Sequence, residues 1–185
     1  MIDLNNVKVK VEYGTTLAIF TAFNRFGILR NMKQPLGILR MVLYFVISPV
    51  MIGWAFIDGH LEQTWLYCLI LAILSLWHAA NWCYVWFFRI SKEYETKYGQ
   101  GVPKETYLFA PEGFVNMTLT HDMSSNFETL YSICQEVYET GDALYLFKTK
   151  TSAYVIPKAA ITLGSIEELR ILLQQAYGKH YHIVK

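Results

Sequence analysis

Two long apolar runs dominate the pattern of hydrophobic and polar positions along the chain. Residues 41–57 (MVLYFVISPVMIGWAFI) contain no Asp, Glu, Lys, Arg or His, and residues 65–88 (WLYCLILAILSLWHAANWCYVWFF) contain only His78. About 20 helical residues, at a rise of 1.5 Å each, cross a hydrocarbon core of roughly 30 Å. Residues 36–40 lengthen the first run by one turn. The pattern therefore predicts a two-helix transmembrane hairpin over residues 36–90.

The N-terminal segment, residues 1–35, has the pattern of a strand followed by a helix. Valines alternate with charged residues over 7–11, which predicts a strand with one buried face. Thr15 or Thr16 can cap a helix that continues through residue 26. Two interpretations of this helix compete: it packs on a soluble sheet, or it lies in the membrane interface. Its aromatic residues and the basic stretch at 25–40 favour the second.

The C-terminal part changes to short strands after a polar linker at residues 91–104. Turn residues separate the strands, and the strands are predicted at 105–110, 113–119, 126–130, 132–139, 143–148 and 153–156. Such close spacing is typical of an antiparallel meander that curves into a small barrel or half-barrel.

One helix closes this part of the chain. Ser165 and Glu168 form a capping-box pattern, an apolar stripe follows to residue 177, and Gly178 stands where a C-cap is expected. The predicted fold class is a membrane α-helical hairpin plus an α+β cytoplasmic domain. In this prediction residues 105–185 form a pleckstrin-homology-like sheet of six or seven strands closed by the C-terminal helix. The strand at 7–11 is a candidate for a missing edge, and the sequence leaves open whether it joins this domain.

Composition and charge restrict the partners and set the orientation. Apolar residues make up 54% of the chain and charged residues 17%, with the apolar excess in the hairpin. The net charge is +1 without a basic stripe, which argues against nucleic acid. The connector at 58–64 has no Lys or Arg, whereas both outer flanks are basic, so both termini are expected on the cytoplasmic side of the inner membrane. The flanking cations are Arg25, Arg30, Lys33, Arg40, Arg89, Lys92 and Lys97.

Polar residues inside the predicted spans are the first candidate site. Ser75, His78 and Asn81 recur every third residue and share one face of the second span. An intramembrane ionisable group is a candidate for ion conduction or ligand binding. The alternative is hairpin packing, in which Ser75 or Asn81 bonds carbonyls that Pro49 leaves free in the first span. The packing interpretation is favoured.

A second candidate site consists of three lysines in the β region. Lys148 and Lys150 share a strand face or turn edge, and Lys158 follows the neighbouring strand. Beside a bilayer these lysines would attract anionic lipid headgroups. The alternative is a solvated rim that keeps a sheet edge from pairing.

Catalytic and metal-binding patterns do not assemble in the soluble part. His121 and Asp122 with Glu128 have too few converging ligands for a metal site and fit a loop better. Cys68, Cys83 and Cys134 form no CxxC pair, which argues against a disulfide framework. No phosphate-binding glycine loop or hydrolase motif is present. We therefore expect no enzyme activity, no cofactor and no metal.

One stretch of the β region resembles a known family. Its strands end in three short motifs, Val137-Tyr138-Glu139, Tyr145-Leu146-Phe147 and Ile156-Pro157-Lys158. These motifs and the order of elements resemble the YcxB-like family of bacterial membrane proteins. The chain departs from the family's usual Arg and Phe after the last motif, where it has Ala159, Ala160 and Ile161. The resemblance implies a membrane-anchored β domain and supplies no reaction.

Together these patterns predict a non-enzymatic binding module. A two-span anchor would hold a cytoplasmic domain that docks a protein or an anionic lipid headgroup at the inner membrane face. The alternative is a small transporter or channel subunit, which requires a homo-oligomer because two spans cannot enclose a pore. A weaker alternative is immunity against a membrane-acting toxin, and no residue pattern in the sequence points to it.

Overall fold

The computed structural model describes residues 2, 4–57, 61–99, 101–120 and 124–184, and it divides into two units. The first unit comprises Met1–Phe23 together with Thr96–Lys185, and the second comprises Asn24–Glu95. The chain that forms the second unit is therefore inserted within the sequence of the first. The fold is α+β, with helices and two largely antiparallel sheets.

Six α-helices are present in the described residues: α1 (Leu17–Met32), α2 (Pro35–Val42), α3 (Ser48–Ile57), α4 (Leu61–Tyr84), α5 (Ile90–Tyr98) and α6 (Ile166–Tyr177). The π-helical segments Leu43–Ile47 and Val85–Arg89 join α2 to α3 and α4 to α5. The strands are β1 (Val9–Gly14), β2 (Lys104–Ala110), β3 (Gly113–Leu119), β4 (Ser124–Leu130), β5 (Glu136–Glu139), β6 (Ala143–Phe147), β7 (Ala153–Pro157), β8 (Ile161–Leu163) and β9 (Tyr181–Ile183).

The strands form two sheets instead of the single sheet predicted. The orders are β4-β3-β2-β1-β8 and β7-β6-β5-β9, antiparallel except for the parallel pairing of β5 with β9. The N-terminal strand joins the β region, which the sequence left open, and it lies inside the sheet and not at its edge, because β1 pairs with β2 on one side and with β8 on the other. The strand predicted at 132–139 is shorter, since Tyr131–Ile133 forms a 3-10 turn and β5 begins at Glu136.

The larger of the two apolar clusters described in the first unit forms its main core. It takes side chains from both sheets and from α6: Val9 and Val11 of β1, Leu144 and Leu146 of β6, and Leu169 of α6 are all fully buried. The alternating valines and the helical stripe therefore face the interior, as their periods predict.

Helix α6 begins and ends as the sequence predicts. The Ser165 hydroxyl accepts the backbone N–H of Glu168 at 3.1 Å, and the Glu168 carboxylate accepts the backbone N–H of Ser165 at 2.8 Å. This reciprocal pair is the predicted capping box. Gly178 follows the last turn with a φ of +51°, a conformation that favours glycine.

Helix α1 is longer than predicted, and its first half has aromatic contacts within the first unit. Thr16 Oγ1 accepts the backbone N–H of Ile19, and the helix continues past residue 26 to Met32. The Phe23 ring lies 5.7 Å from that of Tyr145 in β6, and the Phe20 ring 5.8 Å from that of Tyr98. Phe20 and Phe23 therefore take part in packing within the first unit, and the interfacial interpretation of this helix stays a prediction.

Within the described residues two helical stretches are long and apolar enough to cross a membrane, Pro35–Ile57 and Trp65–Tyr98, and all but the last three residues of the second lie in the second unit. They lie side by side, because the ring of Tyr44 in the first stretch stacks on the ring of His78 in the second, with 4.5 Å between the two ring centroids. Tyr44 and His78 are each 17 sequence positions from Leu61, the first residue of α4. Most of their large apolar side chains point outward, with Trp77 75% and Ile57 90% exposed.

Pro49 is accommodated within its own helix. The Ser48 hydroxyl donates to the carbonyl of Leu43 at 3.1 Å, where the backbone widens into a π-helical segment. Ser75 Oγ is buried and has no hydrogen-bond partner among the described residues, so it does not satisfy a carbonyl near Pro49 as the packing interpretation proposed.

Candidate functional site

A buried carboxylate with three partners is the most highly connected polar group of the first unit. Glu139 is 4% exposed. Its Oε1 accepts from Lys158 Nζ at 2.8 Å and from Arg170 Nη2 at 2.7 Å, while its Oε2 accepts from Arg170 Nε at 3.0 Å. The hydroxyl of Tyr181 also donates to Oε2. We call Glu139, Lys158, Arg170 and Tyr181 the Glu139 cluster.

The four side chains of the cluster come from four different parts of the fold. Glu139 ends β5, Lys158 follows β7, Arg170 lies on the second turn of α6, and Tyr181 begins β9. The cluster therefore ties the second sheet to the C-terminal helix and to the last strand. The Arg170 guanidinium donates to both oxygens of the Glu139 carboxylate, and this bidentate geometry is the strongest for an arginine–carboxylate pair.

Electrostatics keep the carboxylate of this cluster charged. The hydrogen bonds from Arg170, with smaller contributions from Lys158 and Tyr181, lower the pKa of Glu139 to about 2 against the opposing effect of burial. The same pairing raises the pKa of Arg170, and burial raises that of Tyr181. A carboxyl that is ionised throughout the physiological range does not exchange protons near pH 7, so the cluster can bind and position groups but is unsuited to general acid–base chemistry.

Arg170 and Tyr181 are missing from the sequence-based predictions, and Lys158 was assigned there to lipid binding. The alternation of residues in β5 contains a signal that Glu139 needs a cationic partner. Val137 and Glu139 share the buried face of this strand, and a carboxylate on a buried face needs a cationic partner. The identity of that partner depends on which helix and which strand pack against β5.

The three predicted lysines do not form one cluster. The register of β6 with β7 pairs Phe147 with Ala153 at one end and Ala143 with Pro157 at the other. Lys148 and Lys150 lie in the turn beyond the first pair, and Lys158 lies beyond the second. Five paired positions at about 3.4 Å per residue separate the two ends. Lys148 Nζ lies 4.2 Å from the ring centroid of Tyr154, and Lys150 is exposed in the turn.

A second polar group lies on the inner face of the first sheet. Glu105 Oε2 accepts from Asn116 Nδ2 at 2.9 Å and from the hydroxyls of Thr118 at 3.1 Å and Tyr107 at 3.3 Å. Asn116 is paired across the strands with Phe127, which remains 60% exposed. Side chains on this inner face are therefore buried at Asn116 and exposed to solvent at β4.

The predicted intramembrane face is divided among three environments. The unpartnered Ser75 hydroxyl is buried, His78 stacks on Tyr44, and Asn81 is exposed beside a small cavity of about 100 Å³ lined also by Trp82 and Trp86. These side chains therefore do not converge on one ligand position within a single chain.

Of the remaining candidates, those that the structure describes form no assembled reactive site. Cys134 is buried in the core of the first unit, and burial raises the pKa of its thiol, which disfavours the nucleophilic thiolate. His121 and Asp122 lie outside the described residues. Within the part of the chain that the structure describes, no three His, Cys, Asp or Glu side chains are grouped to hold a metal ion.

Comparison with known proteins identifies one family. Residues 121–173 match the family model described as YcxB-like protein, which confirms the resemblance seen in the sequence. The matched segment contains three members of the Glu139 cluster, Glu139, Lys158 and Arg170. Neither a curated protein nor a solved structure matches the chain.

Proposed function

We propose that this chain, whose residues 121–173 match the YcxB-like family model, is a bacterial inner-membrane protein that holds a binding domain at the cytoplasmic face. In this proposal residues 36–90 form a transmembrane hairpin, and both termini are cytoplasmic. The first unit is a pleckstrin-homology-like module that docks a protein or an anionic lipid headgroup. No catalytic step is part of the function.

The exposed apolar surface of the second unit carries the proposal. A helix in the core of a soluble protein buries its apolar side chains, whereas here Trp54, Leu76 and Trp77 are each about 70% exposed. A surface of this kind is unfavourable in water and favourable in hydrocarbon. The absence of Lys and Arg between residues 58 and 64 supports the orientation.

The two-sheet arrangement supports the pleckstrin-homology-like part of the proposal. Strands β1 to β4 and β5 to β7 are antiparallel neighbours, and α6 packs its apolar stripe on the shared core. For the binding surface we propose the turn that carries Lys148 and Lys150, because both side chains lie at one end of the second sheet. Lys158 is excluded from this surface, since it is engaged by Glu139.

Membrane insertion and orientation can be tested together in cells. Extraction with alkaline carbonate should leave the full chain in the membrane fraction. A maleimide that cannot cross the membrane should label Gln63→Cys in intact cells and Lys179→Cys only after permeabilisation, both in a background without the native cysteines. Release by carbonate, or labelling of Lys179→Cys in intact cells, would refute the anchor or its orientation.

The binding role requires a separate experiment with the full-length chain. A photocrosslinker placed at Thr149 should capture a distinct protein or a lipid, and Lys148→Gln with Lys150→Gln should abolish the product. Lys179→Gln, which removes an exposed lysine elsewhere in the first unit, is the matched control and should leave the product unchanged. If every product survives the double substitution, this turn is not the docking surface.

A second candidate function is an oligomeric transporter or channel subunit. Asn81 exposes an amide on an otherwise apolar helix, and Ser75 keeps a buried hydroxyl without a partner among the described residues. A second copy of the chain would satisfy the exposed amide of Asn81. Mass measurement of the detergent-solubilised chain decides this point, because a monomer excludes a pore.

A further inference from the structure

A cavity of about 400 Å³ lies in the second unit at the end of the two apolar stretches that is predicted to be cytoplasmic. Its walls come from the end of α1, the start of α2 and one turn of α4. This volume is within the range of about 300–1,000 Å³ that small-molecule sites occupy. The cavity belongs wholly to the second unit and is separate from the Glu139 cluster.

The lining of this cavity is polar on one side and apolar on the other. Asn31, Gln34, Arg40 and His78 supply hydrogen-bonding groups, and the apolar part includes Leu36 and Trp82. Among the described residues that line the cavity, Arg40 is the single charged one, and none is Asp or Glu. The charge of Arg40 therefore favours an anionic ligand in the cavity and disfavours a cationic one.

The cavity wall is held in place by close backbone packing. A Cβ atom on Gly37 would lie 2.5 Å from the carbonyl oxygen of Asn31 and 2.8 Å from that of Met32, so the first turn of α2 packs directly on the end of α1. Gln34 precedes α2 and makes no side-chain cap to it.

The surroundings of the cavity match an amphiphile. Leu36 and Leu39 of α2 are each about 60% exposed, so an apolar surface continues outward from the polar lining. Trp82 stacks on Trp86, and the guanidinium of Arg25 lies 5.1 Å from the Trp86 ring centroid. Aromatic and basic side chains at this depth are typical of the level where lipid headgroups lie.

From this geometry we infer that the cavity binds the phosphate of an anionic phospholipid of the cytoplasmic leaflet, with an acyl chain along the exposed face of α2. Arg40 pairs with the phosphate, Asn31 and Gln34 donate hydrogen bonds to it, and Trp82 packs on the glycerol and the first carbons of the chain. This inference rests on the proposed membrane anchor and adds a ligand class and a site to it.

Native mass spectrometry of the full chain in neutral detergent micelles tests the inference. The probes are phosphatidylglycerol, phosphatidylcholine and inorganic phosphate. One phosphatidylglycerol should be retained in preference to phosphatidylcholine, and Arg40→Gln should weaken its retention about tenfold, the loss expected for one charge-assisted hydrogen bond. Arg89→Gln removes an exposed arginine outside the cavity and should change retention less than twofold.

A second variant tests the cavity without changing its charge. Asn31→Phe fills the space from an exposed position, and it should lower retention of phosphatidylglycerol as much as Arg40→Gln does. Equal losses from Arg40→Gln and Arg89→Gln would instead indicate general attraction of lipid to basic side chains and would overturn the site. Unchanged retention by Asn31→Phe would overturn it as well.

Two further outcomes separate the ligand from the anchor. If inorganic phosphate in large excess displaces phosphatidylglycerol in an Arg40-dependent manner, the site takes a free phosphate and the acyl-chain contact is refuted. If carbonate releases the wild-type chain from membranes, the proposed function fails, yet retention in micelles still reports on the cavity. The two failures are therefore distinguishable.

Discussion

Glu139→Gln is the substitution that should most weaken the first unit without changing its shape. The amide keeps the size of the carboxylate and can still accept from Tyr181 and Arg170, but it removes the negative charge between two cations. Lys158 and Arg170 would then face each other without a counter-charge. Breaking a buried ion pair on one side is costly because the remaining charge is left uncompensated.

The magnitude follows from the pKa of the carboxyl and from the exposure of its partners. The difference between about 2 in the folded protein and the usual 4.5 corresponds to about 3 kcal/mol of preferential stabilisation of the charged form. The side chains of Lys158 and Arg170 are 22% and 34% exposed, so water relieves part of the cost. We therefore expect Glu139→Gln to lower the free energy of unfolding of the first unit by about 2 kcal/mol.

Cys134 offers a measure of this loss in the full-length chain. It is 4% exposed and shares a core with Val137, so a thiol reagent reaches it only when the first unit opens. In a background with Cys68→Ser and Cys83→Ser it is the sole thiol. A loss of about 2 kcal/mol should then accelerate labelling about 30-fold.

Glu136→Gln is the matched control for this assay. It makes the same chemical change three residues earlier, on the opposite face of the same strand, where Glu136 accepts from the hydroxyl of Tyr138 and is only half-buried. Labelling should change less than about threefold, since surface substitutions stay within about 0.5 kcal/mol. If Glu139→Gln labels no faster than Glu136→Gln, the Glu139 cluster does not stabilise the fold and the reasoning is refuted.

Three further changes have definite expected results. The stabilisation by Glu139 should be complete above about pH 4.5 and should disappear as the pH falls toward 2, because its pKa is lowered; hydrogen exchange of β5 amides measures this, and a loss centred near pH 6 would contradict the assignment. Gly113→Ala should destabilise the β3–β4 pair by about 2 kcal/mol, because its Cβ would lie 2.5 Å from the carbonyl oxygen of Thr129, whereas Gly141→Ala has open space and should be neutral in the same exchange experiment. Ser165→Ala should cost about 1 kcal/mol through the lost helix cap, seen as faster amide exchange in the first turn of α6, and unchanged exchange there would count against the cap.

Local signals explain the parts of this structure that the sequence predicts well. The two apolar stretches, the capping box at Ser165, and the bounds of β3 each depend on residues close together in the chain. Periods of 2 and 3.6 residues identify such elements because they describe one buried face of a single strand or helix. The strands β8 and β9 are only three residues long, too short for a period, and they were not predicted.

Pairing across long separations was decided by the tertiary structure alone. An acidic residue on the buried face of β5 requires a cation, but only the packing of α6 supplies Arg170 and only the parallel strand β9 supplies Tyr181. The register of β6 with β7 likewise places Lys158 beside Glu139 and away from Lys148. By itself the sequence determined the buried faces of β1 and α6, whereas the burial of Glu139 and its need for a cation were not predicted. The partners followed from the fold, because contacts between distant residues depend on how the sheets and the helix close on one core.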